Sequence, residues 1–352
     1  MVLVDHQVDS VVTIPNFTLE SGYLFDEINL AYERVGPTDG PVILVCHALT
    51  GNQWAVGTEE HPGWWRGLIS KDGYLNTAQY QVITFNVLGG CDGSTGPKSV
   101  NPNTNQPYGK EFPSLTIRDL VEVQFLALKK LGVSHLRAVI GGSLGGMQVL
   151  EWGLMYPNFV DAIFPIAVTP QFSDYAIAFN HISSLAIKQD PNWKQGKVPT
   201  AGLGLAREIG MITYRSEELF KERFGRSFSK GQYEVASYLD HQAKKMVERF
   251  DPNSYLTLLD AMNGHDIGRG RGGLENAIEQ LEVPVYALGF QHDLLYRPES
   301  IEEFIEQVLM VGGEADYFEV DTVFGHDGFL VEFDKWGHIV KKQLSKLEKI
   351  KI

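Results

Sequence analysis

Residues 136–152, LRAVIGGSLGGMQVLEW, narrow the folds open to this chain more than any other stretch. Ala138, Val139 and Ile140 read as a short buried strand, and Met147, Leu150 and Trp152 recur at helical spacing. Between them Gly141, Ser143 and Gly145 fit the G-x-S-x-G pattern of a nucleophile elbow. The demand is steric. A chain that turns so sharply from strand to helix holds its serine in a strained conformation and needs neighbours without side chains, which Gly141, Gly142, Gly145 and Gly146 supply. The Ser143 hydroxyl would then stand at a helix N-terminus, where free N–H groups favour a developing negative charge. A bare G-x-S-x-G also arises by chance, so its meaning depends on what the rest of the chain places around it.

The rest of the chain has material for one large domain or a core with an inserted subdomain, since 43% of its 352 residues are hydrophobic. A formal net charge of −14 argues against a general nucleic-acid binder, which would carry a basic excess. Two cysteines are too few for a disulfide framework, and Cys46 sits in an apolar run as a small hydrophobe, so a reducing cytoplasm is expected. The start, MVLVDHQVDSVV, lacks a cationic head followed by a long apolar stretch, and no apolar run reaches membrane-spanning length. A soluble, unexported protein is the expectation, with no membrane partner.

Strand and helix signals alternate along both flanks of the elbow. Short alternating segments at 17–19 and 28–32, separated by Glu20-Ser21-Gly22, suggest an antiparallel start at a sheet edge. Continuous apolar runs at 42–46, 82–87 and 162–168 read as strands buried on both faces. The glycine-rich segment 88–97 is no phosphate-binding loop, because Pro97 precedes Lys98 and no helix follows; it reads as a pocket wall. Thr116, with Asp119 three residues on, opens a long amphipathic helix that closes at Gly132. From 170 to about 281 no strand pattern occurs, and 201–215, 217–224, 233–250 and 252–262 have helical periodicity. Strand patterns return at 285–290 and 317–320, with helices at 298–311 and 329–349. The predicted architecture is therefore α/β, a mostly parallel sheet flanked by helices. Its core spans residues 1–169 and 283–352, and a helical lid is inserted over 170–282.

A serine nucleophile needs a base, and the base needs a carboxylate to hold its tautomer. Asp293 follows the strand at 285–290 and His326 follows the strand at 317–320, giving the order serine, acid, histidine expected of α/β-hydrolase-like enzymes. Alone, each is an ordinary loop residue; the shared order and strand-end placement make them the candidate acid and base. His292 and His338 lack that placement. The oxyanion hole calls for the Leu144 N–H and one from the loop 47–51, with Leu49 preferred and Thr50 and Gly51 as alternatives. No metal-ligand spacing occurs.

Six stretches in order resemble the homoserine O-acyltransferase family of methionine biosynthesis, within the α/β-hydrolase superfamily. They are His47-Ala48-Leu49-Thr50-Gly51; Asn86-Val87-Leu88-Gly89-Gly90-Cys91; Gly141-Gly142-Ser143-Leu144-Gly145-Gly146-Met147-Gln148; Leu205-Ala206-Arg207 with Thr213-Tyr214; Arg249-Phe250-Asp251 with Asn253-Ser254-Tyr255; and Gly325-His326-Asp327. The resemblance implies ping-pong transfer, in which an acyl-coenzyme A such as acetyl-CoA acylates Ser143 and the hydroxyl of L-homoserine, deprotonated by His326, takes the acyl group. Acyl-CoA is then a substrate, and no resident cofactor is implied. Arg207 resembles the arginine that holds the acceptor carboxylate, Tyr214 a tyrosine beside it, and Asp327 the aspartate for the amino group. Spacing is compatible, because Arg207 and Tyr214 lie seven apart on a predicted helix, hence on one face. Arg215 competes with Arg207, and a helix N-cap is the plain alternative for Asp327. Arg269 and Arg271 are candidate cations for coenzyme A phosphates, but a solvated turn is the preferred reading and they are left out of the site. An esterase, succinyl-CoA as donor, L-serine as acceptor, and an inactive scaffold on the same fold are the rival readings. A homodimer through the lid is a further implication of the resemblance.

Overall fold

The structure, a computed structural model, describes residues 5–349. Strand β1 (Asp5–Thr18) and strand β2 (Leu24–Gly36) form an antiparallel hairpin far longer than the two alternating segments suggested. Val12 and Ile14 alternate inward along β1, Phe17 turns inward after Asn16 at φ 53° breaks the alternation, and the strand packs over helix α1 (Ile117–Lys130). β2 then pairs antiparallel with β4 (Gln81–Phe85), and from there the sheet is parallel: β3 (Val42–Cys46), β5 (Ala138–Gly142), β6 (Ile163–Ile166), β7 (Val285–Phe290) and β8 (Ala315–Val320). The spatial order is β1-β2-β4-β3-β5-β6-β7-β8, so the expected antiparallel edge and parallel centre are both present.

Continuous apolar runs in β3 to β7 follow from cover on both faces. Leu44 and Cys46 face a core that includes Leu120 of α1 and Leu150 of helix α2 (Leu144–Met155). Ile43 and Val45 face the other way, into a core built on Trp65, Trp336, Val340 and Leu344. A reciprocal capping box starts α1: the Asp119 N–H donates to Thr116 Oγ1 at 3.2 Å and the Thr116 N–H to Asp119 Oδ2 at 2.8 Å. The shorter aspartate thus does what a glutamate does in this motif.

Between β6 and β7 the chain leaves the sheet, and helices α3 (Asp174–Gln189), α4 (Thr200–Tyr214), α5 (Glu217–Phe224), α6 (Glu234–Arg249) and α7 (Pro252–Asn263) pack on one another. Two corrections fall here. A two-residue hairpin, Phe228–Ser229 with Gln232–Tyr233, interrupts the helices and is too short to leave a period in the sequence. Helix α3 was not legible because its buried face includes Ser183 and Ser184 while Ile182 and Leu185 point outward, the reverse of an amphipathic pattern. After β7 come α8 (Pro298–Met310) and β8. The closing helix expected over 329–349 is broken: a turn at Gly328–Val331 precedes α9 (Phe333–Lys349), with Glu332 leaving helical geometry at ψ 53°. No helix among the described residues is long and apolar enough to cross a membrane.

Candidate active site

Because β3, β5, β7 and β8 run parallel, the loops at their C-terminal ends emerge at one edge of the sheet, where open α/β sheets bind ligands. Those loops begin at His47, Ser143, Gln291 and Asp321. Ser143 has φ 58° and ψ −124°, a region that side-chain-bearing residues seldom occupy. The crowding around it explains the glycines. A Cβ on Gly145 would lie 2.1 Å from the Cys46 carbonyl oxygen, and one on Gly141 would lie 2.7 Å from the same atom. The end of β3 therefore passes against the elbow with no room for a methyl group. Ser143 occupies the N-cap position of α2 without capping it, so its hydroxyl is free to face the cavity.

Asp293 Oδ1 accepts hydrogen bonds from the Leu295 N–H at 2.8 Å and the Tyr296 N–H at 3.0 Å, leaving Oδ2 to meet His326 Nδ1 at 2.6 Å. Both side chains are almost completely buried. An ionised carboxylate only accepts, so Nδ1 bears the proton and Nε2 keeps its lone pair. Burial alone would lower the imidazole pKa; the Asp293 carboxylate and its hydrogen bond, with Asp327 adding to them, outweigh burial and raise it. Ser143 and His326 line the same cavity, of about 230 Å³. The rival histidines are elsewhere: His292 is exposed beside Glu218 at 3.5 Å, and His338 lies exposed on α9.

The loop after β3 is fixed from both sides. His47 Nδ1 donates to the Ala48 carbonyl at 2.7 Å, and its Nε2 accepts from the Val87 N–H at 3.1 Å. Burial pulls the His47 pKa down to about 4, so the ring stays neutral in that tautomer. From the helical side, Arg249 Nη1 donates to the Thr50 carbonyl at 2.8 Å. Gly51 drops out as an oxyanion donor, because its N–H is engaged by the Ala48 carbonyl at 2.8 Å. Among the described residues the Leu49, Thr50 and Leu144 amides have no backbone acceptor, and Leu49, Thr50 and Ser143 line the cavity. Leu49, the preferred donor, and Thr50, its alternative, are thus both available beside Leu144.

Arg207, Tyr214 and Asp327 all reach this cavity. The Arg207 guanidinium lies 5.9 Å from the centre of the Tyr214 ring, so the seven-residue spacing does put both on one face of α4. Tyr214 also has its ring 5.8 Å from the His326 ring. Its phenol pKa is raised, burial being the main cause and Asp327 a further one, against Arg207 and a hydrogen bond from Tyr255. Tyr255 in turn interacts with Ser183, so two buried hydroxyls stand behind Tyr214. Asp327 makes no capping bond to the turn that follows; its Oδ2 accepts from Arg215 Nε at 2.9 Å. That ion pair engages Arg215, the competitor of Arg207.

The segment 88–97 does form a pocket wall, but not of this cavity: Gly93 and Thr95 line a separate surface cleft with Tyr23, Phe25 and Tyr108. Arg271 is no solvated turn residue: it clamps Glu151, itself 2% exposed, at 2.6 and 3.1 Å, while Arg118 binds the same carboxylate at 3.2 Å. Arg269 pairs with Glu20 at 2.6 Å. Arg271 holds the chain between α7 and β7 against the core, whereas Arg269 is the exposed turn residue expected, and both are paired with carboxylates. Sequence reasoning missed Tyr296, whose ring stacks on His326; its place three residues after Asp293 was the available signal. Among the described residues no group of three or more His, Cys, Asp or Glu side chains is placed to hold a metal ion.

Comparison with known proteins gives the same picture at two levels. The alpha/beta hydrolase fold family matches residues 41–341. A homoserine O-acetyltransferase of Moorella thermoacetica is 43% identical over 349 residues, covering 94% of this chain and 93% of that protein. The crystal structure of homoserine O-acetyltransferase from Bacillus anthracis superposes with a TM-score of 0.90 at 26% identity, covering 98% of each chain. Esterase E22 superposes almost as well, with a TM-score of 0.89 over 97% of this chain and 100% of that one, but at 24% identity that likeness concerns the fold alone.

Proposed function

The chain belongs to the homoserine O-acetyltransferase family of the α/β-hydrolase fold and is an acyltransferase, and on that premise we propose that it moves an acetyl group from acetyl-CoA to the hydroxyl of L-homoserine through an acetyl-Ser143 intermediate. In the first half-reaction His326 takes the Ser143 proton, Oγ attacks the thioester carbon, and the thiol leaves with that proton. In the second, His326 takes the proton of the acceptor hydroxyl, which attacks the acetyl-serine; Oγ leaves and recovers the proton. The N–H groups of Leu144 and Leu49 stabilise the oxyanion of each tetrahedral intermediate. Asp293 keeps His326 in the tautomer that can do this. The product, O-acetyl-L-homoserine, serves methionine biosynthesis in this reading.

The observation that carries the proposal is the company Ser143 keeps. Its cavity contains a guanidinium, that of Arg207, without a carboxylate partner among the described residues, and a carboxylate, that of Asp327, next to the base in the chain and bound through Oδ2 to Arg215. Such a pair suits the carboxylate and ammonium of an amino-acid alcohol, and an esterase acting on simple esters has no use for it. The cavity is also small for a ligand site, so it admits the acceptor and the acyl end of the donor while the bulk of coenzyme A stays outside. Acetyl as the transferred group follows the curated relatives, which are homoserine O-acetyltransferases.

Release of thiol from acetyl-CoA or succinyl-CoA, followed with and without L-homoserine or L-serine, tests this reading. Release should require acetyl-CoA and rise strongly with homoserine; release indifferent to the amino acid would make the protein a thioesterase. Two unpaired thiols, Cys46 and Cys91, suit a reducing cytoplasm. Half-exposed apolar side chains on adjacent helices, Tyr175 and Ile182 on α3 with Leu205 and Ile212 on α4, support a homodimer through the helical insertion; sedimentation at the mass of one chain would refute it.

A further inference from the structure

The turn that presents Asp293 also places Tyr296. With its N–H on Asp293 Oδ1, the Tyr296 side chain folds back so that its ring stacks on the His326 imidazole, centroids 5.2 Å apart and planes inclined by 25°. Phe329 packs edge-on against the same imidazole at 5.3 Å. Aromatic contact of this kind fixes the plane of the base. A phenylalanine would supply it equally well, so packing does not account for the hydroxyl.

Tyr296 is fully buried, and its Oη has no partner in hydrogen-bond geometry. Buried hydroxyls are seldom left so, and an exception calls for a reason. The polar side chain it meets is that of Ser143, close enough to interact though outside hydrogen-bond geometry. Burial keeps the phenol protonated well above its ordinary range; the Ser143 contact opposes that shift, and the Asp293 charge adds to it. A lasting O–H donor therefore stands beside the nucleophilic oxygen without an acceptor.

We propose that Tyr296 is a catalytic residue whose hydroxyl donates a hydrogen bond to Ser143 Oγ while that oxygen carries negative charge. This happens twice in the cycle: as His326 removes the serine proton and Oγ begins its attack, and as Oγ leaves the tetrahedral intermediate of the second half-reaction. Tyr296 keeps its own proton throughout; the transferred proton passes between Oγ, His326 and the thiol or acceptor oxygen. A neutral serine hydroxyl or an ester oxygen is a weak acceptor, whereas an alkoxide-like oxygen is a strong one, so the bond favours the transition state over either resting form. The inference rests on Ser143 being the nucleophile.

The test compares wild type with Tyr296→Phe and Tyr296→Leu, each checked for native circular dichroism. Acylation is measured as the burst from p-nitrophenyl acetate and as thiol release from acetyl-CoA, and the second half-reaction as transfer to L-homoserine. Tyr296→Phe should slow both half-reactions by about ten-fold, the worth of one such bond. Its KM for homoserine and its pH profile should stay unchanged, since the stacked ring remains. Tyr296→Leu should be slower still and should move the acid limb of the profile. Wild-type rates in both half-reactions for Tyr296→Phe, or a loss confined to one of them, would overturn the proposal. Failure of the wild-type protein to be acylated at Ser143 would refute the nucleophile itself, a separate outcome that mass spectrometry identifies.

Discussion

Replacing Ser143 by alanine and by glycine separates two properties that the elbow joins. At φ 58° and ψ −124° a residue with a Cβ is held in a sparsely populated region, at a cost of about 1–3 kcal/mol. Alanine keeps that cost. Glycine removes it but gains freedom in the unfolded chain, which takes back about 0.4–1 kcal/mol. No helix cap is lost in either variant, because the Ser143 side chain makes none. The glycine variant should therefore be more stable than the alanine variant by roughly 1 kcal/mol. Urea unfolding at matched slopes gives the difference as a shift in midpoint. Both variants should lose acylation by about 10⁴-fold or more. A glycine variant less stable than the alanine variant, as in a helix interior, would refute the idea that the elbow stores strain to expose its nucleophile.

Two further outcomes follow from the charges around the site. His326 must be neutral to accept a proton, and its pKa is raised, so acylation should fall off on the acid side with a midpoint above the ordinary imidazole value near 6.5. Asp327→Asn removes one of the charges that raise it and leaves Arg215 unpaired nearby, so in the acylation half-reaction, where no acceptor is present, the limb should move to lower pH; movement to higher pH would contradict the assigned cause. For Arg207→Ala, KM for homoserine should rise by about 30- to 100-fold, the worth of a charge-assisted bidentate contact. Thiol release driven by the donor alone should stay within about three-fold, whereas equal loss in both half-reactions would count against an acceptor site at Arg207.

What was legible in the sequence, and what was not, divides along a physical line. The elbow could be read because its demand is local: glycine is required wherever the Cys46 carbonyl crosses the turn, and those glycines adjoin Ser143 in the chain. Asp293 and His326 could be placed because each follows an apolar run, and a parallel sheet brings the ends of such runs to one edge. Tyr296 over His326 joins loops thirty residues apart by a ring contact, which leaves no trace in periodicity. Arg207 and Arg215 could not be separated because the choice depends on where α4 ends: Arg215 has left the helix, at φ −125° and ψ 145°, and so meets Asp327 instead of sharing the face of Arg207 and Tyr214. Helix α3 is the most telling failure. Its inner face has Ser183, which meets Tyr255 behind Tyr214, so the polar residue that hides the helix from a hydrophobic pattern is one that serves the cavity. In this fold the sheet is apolar because it must be covered, while α3 buries Ser183 and Ser184 on the face where it reaches the cavity. The binary pattern therefore fails along the surface where the second substrate binds in the proposed reaction.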